Sequence, residues 1–120
     1  VEVFGTDYDT VDGSCIRDYV HVSDLADAHL RALDYLKREN QDLVVNLGTS
    51  KGLSVLEIMQ IAREVSGAEF KYALGPRRAG DPAVVLAKAD LAAELLGWRA
   101  KHSDAQTLLE TSLRAYRQSS

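Results

Sequence analysis

Three arginines occupy the positions in this chain best suited to chemistry: Arg17, in Arg17-Asp-Tyr-Val-His-Val22, and the pair Arg77 and Arg78, in Arg77-Arg-Ala-Gly-Asp-Pro82. Each stands where turn-forming residues give way to an apolar, extended stretch, so its guanidinium is expected to be half buried and in need of an anion. A guanidinium presents parallel N–H donors that match a phosphate. Two such loops converging could clamp a diphosphate, with Asp81, set behind Gly80, accepting from sugar hydroxyls. Ordinary pairing with loop carboxylates is the alternative, and the residues by themselves leave both open.

The other candidates are weaker. Gly48-Thr-Ser-Lys-Gly52, between a β-prone run and a helix starting near Ser54, could offer free helix-terminal amides to an anion, or be a plain strand-to-helix turn. It has neither the three glycines of a dinucleotide turn nor the Gly-Lys-Ser/Thr of a P-loop. His21, His29 and His102 lack a second histidine or an acidic partner at metal-ligand spacing, which favours packing or solvated roles and no metal site. Cys15 has no evident activating base, and no serine stands in a nucleophile elbow. Asp24 with Asp27 and Asp7 with Asp9 suit helix-end charge and loop solvation. No catalytic centre is therefore expected in these residues.

With 120 residues, 46% of them hydrophobic and 27% charged, the chain has the size and composition of a single domain, 1–120, with one core. A net charge of −4 argues against a nucleic-acid or anionic-membrane surface, which needs a local excess of Lys and Arg. The lone Cys15 excludes an internal disulfide and fits a reducing, cytoplasmic setting. No apolar run is long enough to span a bilayer, and the first residues carry no basic stretch followed by an apolar one, so no signal peptide is expected. The chain opens without Met on Val1-Glu2-Val3-Phe4, which alternates like a strand already under way, and a cut through a longer protein is expected.

The elements follow from periodicity and punctuation. After the opening strand, Gly5 to Ser14 is dense in turn formers and should be a surface loop, with Asp12-Gly13 its strongest turn. Ser23 is positioned to cap a helix whose stripe is Leu25, Ala28, Ala32, Leu33 and Leu36, ending near Asn40. Leu43 to Leu47 reads as a strand. Ser54 and Glu57 form a capping box for a helix striped by Val55, Ile58, Met59, Ala62 and Val65 and ended by Gly67. A strand over Phe70 to Leu74, the charged loop Arg77 to Pro82 and an extended Ala83 to Ala87 come next. Asp90 should cap a short helix ending at Gly97, and Ser103 with Gln106 should cap a last one striped by Ala105, Leu108, Leu109, Ser112, Leu113 and Tyr116. Several short strands interleaved with about four helices make an α/β class.

The stretch Val3 to His29, containing Cys15-Ile-Arg-Asp-Tyr-Val-His-Val-Ser-Asp-Leu-Ala-Asp-Ala-His29, closely resembles the C-terminal part of the UDP-glucose 4-epimerase family, extended short-chain dehydrogenases/reductases. Asn46-Leu-Gly48, Ser54-Val-Leu-Glu57, Arg77 to Pro82 and Leu95-Leu-Gly-Trp98 keep the family's order and spacing, so the resemblance covers essentially the whole chain. Val11 stands where the family usually has Pro, and Ser50 where it usually has Gly.

The resemblance implies a parent isomerase of galactose metabolism that interconverts UDP-glucose and UDP-galactose, NAD oxidising the sugar C4 hydroxyl and returning hydride to the rotated 4-keto sugar. The family's Gly-rich NAD turn and Tyr-x-x-x-Lys have no counterpart here, so the Rossmann domain is absent, no cofactor is expected on this segment, and it should be inactive alone. The half of the site it does carry would bind the nucleotide sugar. Phe4 resembles the uracil-binding strand, Arg17 and Arg78 the diphosphate arginines, and Asp81 the ribose acceptor. Arg77 is left as a surface residue. Val85 matches the position bordering the sugar pocket, where a bulky Tyr excludes a 2-acetamido group, so UDP-N-acetylglucosamine is a further expected substrate. The family's homodimer contacts lie mainly in helices outside this segment. Two other readings stand beside this one: a non-catalytic UDP-sugar-binding module, and a structural fragment that self-associates through uncovered apolar surface.

Overall fold

A computed structural model of the chain describes residues 1–119. Its elements are β1 (Glu2–Phe4), β2 (Ile16–Arg17), α1 (Val22–Glu39), β3 (Leu53–Ser54), α2 (Val55–Ser66), β4 (Ala73–Gly75), β5 (Val84–Val85), α3 (Asp90–Leu96) and α4 (Ala105–Ser119). The class is α/β, with the strands divided between two small sheets. β1 pairs in parallel with β4, from Glu2 opposite Ala73 to Phe4 opposite Gly75. β2 is the centre of the other sheet, antiparallel to β3 and parallel to β5.

Two expected strands differ. Leu43 to Leu47 joins neither ladder; its residues alternate between half-buried and exposed, as in an extended chain, while no described strand offers its backbone a partner. The strand expected over Phe70 to Leu74 begins only at Ala73, because the Arg63 guanidinium takes the Phe70 carbonyl through Nε (3.1 Å) and Nη2 (2.9 Å) and lies over the Phe70 and Tyr72 rings.

Helix ends follow the local chemistry, with three changes of residue. Ser54 caps α2 by accepting from Glu57 N, and Gly67 (φ 67°) and Gly97 (φ 63°) end α2 and α3 in the left-handed region that glycine tolerates. The α1 cap is His21, whose Nδ1 accepts from Ser23 N at 2.9 Å, and not Ser23. Asp90 is the first residue of α3, preceded by Ala89 without a side-chain cap. Asp104, and not Ser103, starts α4 by accepting from Thr107 N at 3.0 Å, because the Ser103 hydroxyl is committed elsewhere.

That commitment is to the core. Trp98, 1% exposed, packs with Ala28 of α1 and Ala92 and Leu96 of α3, and its indole N–H donates to the Asp24 carbonyl at 2.8 Å. The buried Asp24 carboxylate accepts from Lys101 N, His102 N and the Ser103 hydroxyl at 3.0, 2.9 and 2.6 Å, tying the end of the Trp98 segment to the first turn of α1. Burial opposes ionisation of Asp24, but the bonds from Ser103, Lys101 and His102 outweigh it and hold the carboxyl below its ordinary value of 3.8. A depressed carboxyl stabilises the fold above its unfolded pKa and loses that contribution as pH falls through the lower folded value. Wild-type stability is therefore expected to fall with acidification below pH 3.8, and Asp24→Asn, measured by denaturant unfolding, to remove part of that pH dependence. The same variant should be destabilised by about 1–3 kcal/mol at neutral pH, since its amide would face donors.

The shape leaves much apolar surface open. The radius of gyration is 16.9 Å, against about 14 Å for a compact chain of this length. On α1 the stripe is buried at Ala28 and half-buried at Leu25 and Ala32, but Leu33 and Leu36 are exposed, as is Leu30 at 69%. Ser112 and Tyr116 of the α4 stripe are exposed too. Among the described residues no helix is long and apolar enough to cross a membrane.

Candidate functional site

Phe4 ends β1, and the loop that leaves β4 through Gly75-Pro76 returns across it. The Arg78 guanidinium lies 4.7 Å from the Phe4 ring centroid, and its Nε donates to Asp81 Oδ2 at 2.8 Å. Arg77 turns the other way, 4.2 Å above the Tyr8 ring, donating to Asp7 Oδ1 at 2.8 Å and to the Asp7 carbonyl at 2.6 Å. Its bond holds the Asp7 carboxyl below the usual carboxylate range. The Tyr8 hydroxyl donates to the Asp81 carbonyl at 3.3 Å. Two cation–aromatic contacts thus seat the hexapeptide on the loop after β1.

The chain runs from Asp81 through Pro82 directly into the second sheet, where Ile16 N donates to the Ala83 carbonyl at 2.8 Å. Arg17 faces Val85 in the parallel β2–β5 pair and Leu53 in the antiparallel pair. Arg17 Nη1 donates to the carbonyl of Ile16 at 2.8 Å, and among the described residues no carboxylate pairs with it. Arg78 therefore touches both Phe4 and Asp81, and Arg17 and Val85 are register neighbours one short segment away. No hydrogen bond or ion pair joins the two groups among the described residues. Arg78, like Arg77, makes the ordinary salt bridge that the residue types also allowed. The Arg78–Asp81 pair is exposed on its arginine side and contributes about 1 kcal/mol or less, so a phosphate can displace the carboxylate at little cost.

The loop expected to lie on the surface, Gly5 to Ser14, is partly buried. Ser14 and Tyr8 are buried, and Asp12 accepts from Ser14 N (2.9 Å), from the Ser14 hydroxyl (2.7 Å) and from the Ser54 hydroxyl. Leu56 N donates to the Ser14 hydroxyl and Val55 N to the Cys15 carbonyl, so the first amides of α2 are already satisfied. Thr49 N and Ser50 N go to Asp18. In the Gly48 to Gly52 turn the Thr49, Ser50 and Lys51 amides are thus in use, and Ser50 holds the left-handed conformation (φ 63°) suited to the glycine expected there. Of the histidines, His21 also reaches Thr111 Oγ1 at 2.8 Å through Nε2, and His29 bonds the Leu25 carbonyl. The sequence gives Tyr8 and Asp18 no role and marks Asp12 only as a turn residue. Tyr8 and Asp12 stand among turn formers, a pattern solvation explains as well, and Asp18 is a single acid beside Arg17.

Residues 1–48 match the family model described as the NAD dependent epimerase/dehydratase family. The chain is 46% identical over 112 residues to a UDP-glucose 4-epimerase of Lacticaseibacillus casei, covering 93% of this chain and 34% of that protein. The chain is similar to these epimerases over nearly its whole length. It superposes with a TM-score of 0.91 and 46% identity on the UDP-glucose 4-epimerase of Brucella ovis solved in complex with NAD, over 97% of this chain and 36% of that one. A UDP-Glc/GlcNAc 4-epimerase of Campylobacter jejuni matches with a TM-score of 0.89 and 44% identity, over 98% and 36%.

The chain spans about a third of the length of these epimerase-family relatives. Its residues do not fit the family's NAD. There is no Gly-x-Gly-x-x-Gly turn, the amides starting α2 are taken, and no tyrosine is followed four residues later by lysine. Tyr35 packs half-buried against the Trp98 core while Lys37 points to solvent.

Proposed function

We propose that this chain is the C-terminal nucleotide-sugar-binding part of a UDP-hexose 4-epimerase that uses NAD to interconvert UDP-glucose and UDP-galactose in the cytoplasm. The supporting observation is that Arg78 lies on the Phe4 ring at the end of β1 and bonds Asp81, one short segment from Arg17 and Val85 on β2 and β5. Arg17 and Arg78 would hold the diphosphate by charge-assisted bonds, the backbone at Phe4 would meet the uracil edge, and Asp81, released from Arg78, would accept from the ribose. The redox step belongs to groups outside these residues, and the parent's homodimer contacts lie there too.

A ligand that binds only the folded state raises its stability, by about 2.7 kcal/mol at a hundredfold excess over Kd. UDP should therefore raise the melting temperature of the chain where uridine does not; equal shifts, or none, contradict the reading. The same chain with added NAD should not convert UDP-galactose, and turnover free of contaminating host enzyme would overturn that. The open apolar face of Leu30, Leu33 and Leu36 favours a second behaviour, self-association with hydrophobic-dye binding, which sedimentation at rising concentration measures.

Val85 supplies the selectivity. It is short and partly exposed beside Arg17, and a side chain of that size would leave room for a 2-acetamido group as well as a hydroxyl. Val85→Tyr should weaken UDP-N-acetylglucosamine binding several-fold more than UDP-glucose binding, because a close-packed wall cannot move aside for the added ring. Equal losses on the two ligands mean that Val85 is not the gate.

A further inference from the structure

Asp18 follows Arg17 at the end of β2, and its carboxylate is saturated by backbone and hydroxyl donors. Oδ1 accepts from Thr49 N and the Thr49 hydroxyl, both at 2.8 Å, and Oδ2 accepts from Ser50 N at 3.1 Å and Ala87 N at 3.2 Å. The two latter bonds connect three separate stretches: the end of β2, the turn before β3 and the segment just after β5, at the second residue beyond Val85. Gly48 completes the junction. A Cβ there would stand 2.6 Å from Asp18 Oδ2 and 2.8 Å from both the Cβ and the carbonyl oxygen of Ala87, so the three stretches approach more closely than any side chain at residue 48 would permit.

β2 and β5 pair over two residues each, and a ladder that short cannot fix its own register. We propose that Asp18 is a positioning residue, which pins β5 against β2 and so sets the placement of the Arg17 guanidinium relative to the Val85 wall. The inference rests on the nucleotide-sugar reading of Arg17 and Val85 and adds a residue to it. Burial opposes ionisation of Asp18, but the bonds from Thr49, Ala87 and Ser50 hold it below the usual carboxylate range, so the carboxylate is the form that makes the junction. Asp18→Asn keeps the size and offers one acceptor oxygen in place of two, leaving an amide against the Ser50 and Ala87 N–H groups.

Two measurements on the full 120-residue chain test it. Amide hydrogen exchange should accelerate at least ten-fold in Asp18→Asn across residues 16–18 and 84–87 while the Trp98 core keeps its protection. UDP calorimetry should show a loss of about five-fold or more in Asp18→Asn, and no further loss when Asp18→Asn is added to Arg17→Ala, because a residue acting through another is not additive with it. Unchanged exchange at 16–18 and 84–87 overturns the positioning role whether or not UDP binds. Acceleration spread over the whole chain, or losses that add with Arg17→Ala, overturn it as well and leave a general stabilising role. A wild-type chain indifferent to UDP counts against the nucleotide-sugar reading and not against the junction, which the exchange data decide.

Discussion

Trp98→Ala is expected to abolish the cooperative thermal transition of this chain. The ring is nearly inaccessible, packs against Ala28, Ala92 and Leu96, and donates its N–H to the Asp24 carbonyl at 2.8 Å, so truncation opens a cavity and strands an acceptor together. Phe or Trp to Ala in a core costs about 3–5 kcal/mol, a large share of the roughly 5–15 kcal/mol that small domains possess. In this chain the margin is narrower, since the fully buried large side chains are few and apolar residues on α1 face water. Trp98→Phe separates the two contributions: it keeps most of the packing, loses the donor, and should cost about 1–3 kcal/mol in chemical denaturation. A Trp98→Ala chain that melts cooperatively within a few degrees of wild type would mean that α1 and α3 are held together elsewhere.

The second large effect is on binding. Charge-assisted hydrogen bonds contribute about 1.5–3 kcal/mol each, so Arg17→Ala or Arg78→Ala should each weaken UDP affinity by about ten-fold or more. Arg17 stands on β2 and Arg78 on the loop after β4, with no protein partner in common, so the double substitution should approach a hundred-fold. Arg77→Ala serves as the control. Its guanidinium is occupied by Asp7 and the Tyr8 ring, and its loss should leave calorimetric UDP affinity within about two-fold. Equal losses for Arg77 and Arg78 would show that the loop as a whole matters, and not the second arginine of the pair.

Local signals in this chain were readable where the interaction is local. Ser54 with Glu57 and the glycines at 67 and 97 set helix ends through bonds a few residues long, and the structure places them there. Ser103 carries the same cap signal as Ser54, yet its hydroxyl serves Asp24, 79 residues earlier, and Asp104 takes over the cap. Leu43 to Leu47 has strand composition but no ladder, because pairing needs a neighbour that composition does not supply. The same division runs through the candidate site. Arg17, Arg78 and Asp81 stand out by residue type at loop-to-strand junctions, whereas the support given by Tyr8 to Asp81 and by Asp18 to Ala87 spans more than sixty positions and leaves no spacing to find.

The central claim is that one patch, formed by the end of β1, the Arg77 to Pro82 loop and the β2–β5 pair, receives a nucleotide diphosphate sugar. Titration of the isotope-labelled chain with UDP-glucose, followed by amide chemical shifts, tests it most directly. The account predicts saturable shifts concentrated at Phe4, Arg17, Arg78, Asp81 and Val85 and their immediate neighbours. Shifts confined instead to the cleft between the Gly48 to Leu53 turn and the Trp98 to Ala105 segment, or no saturable shifts at all, would contradict it.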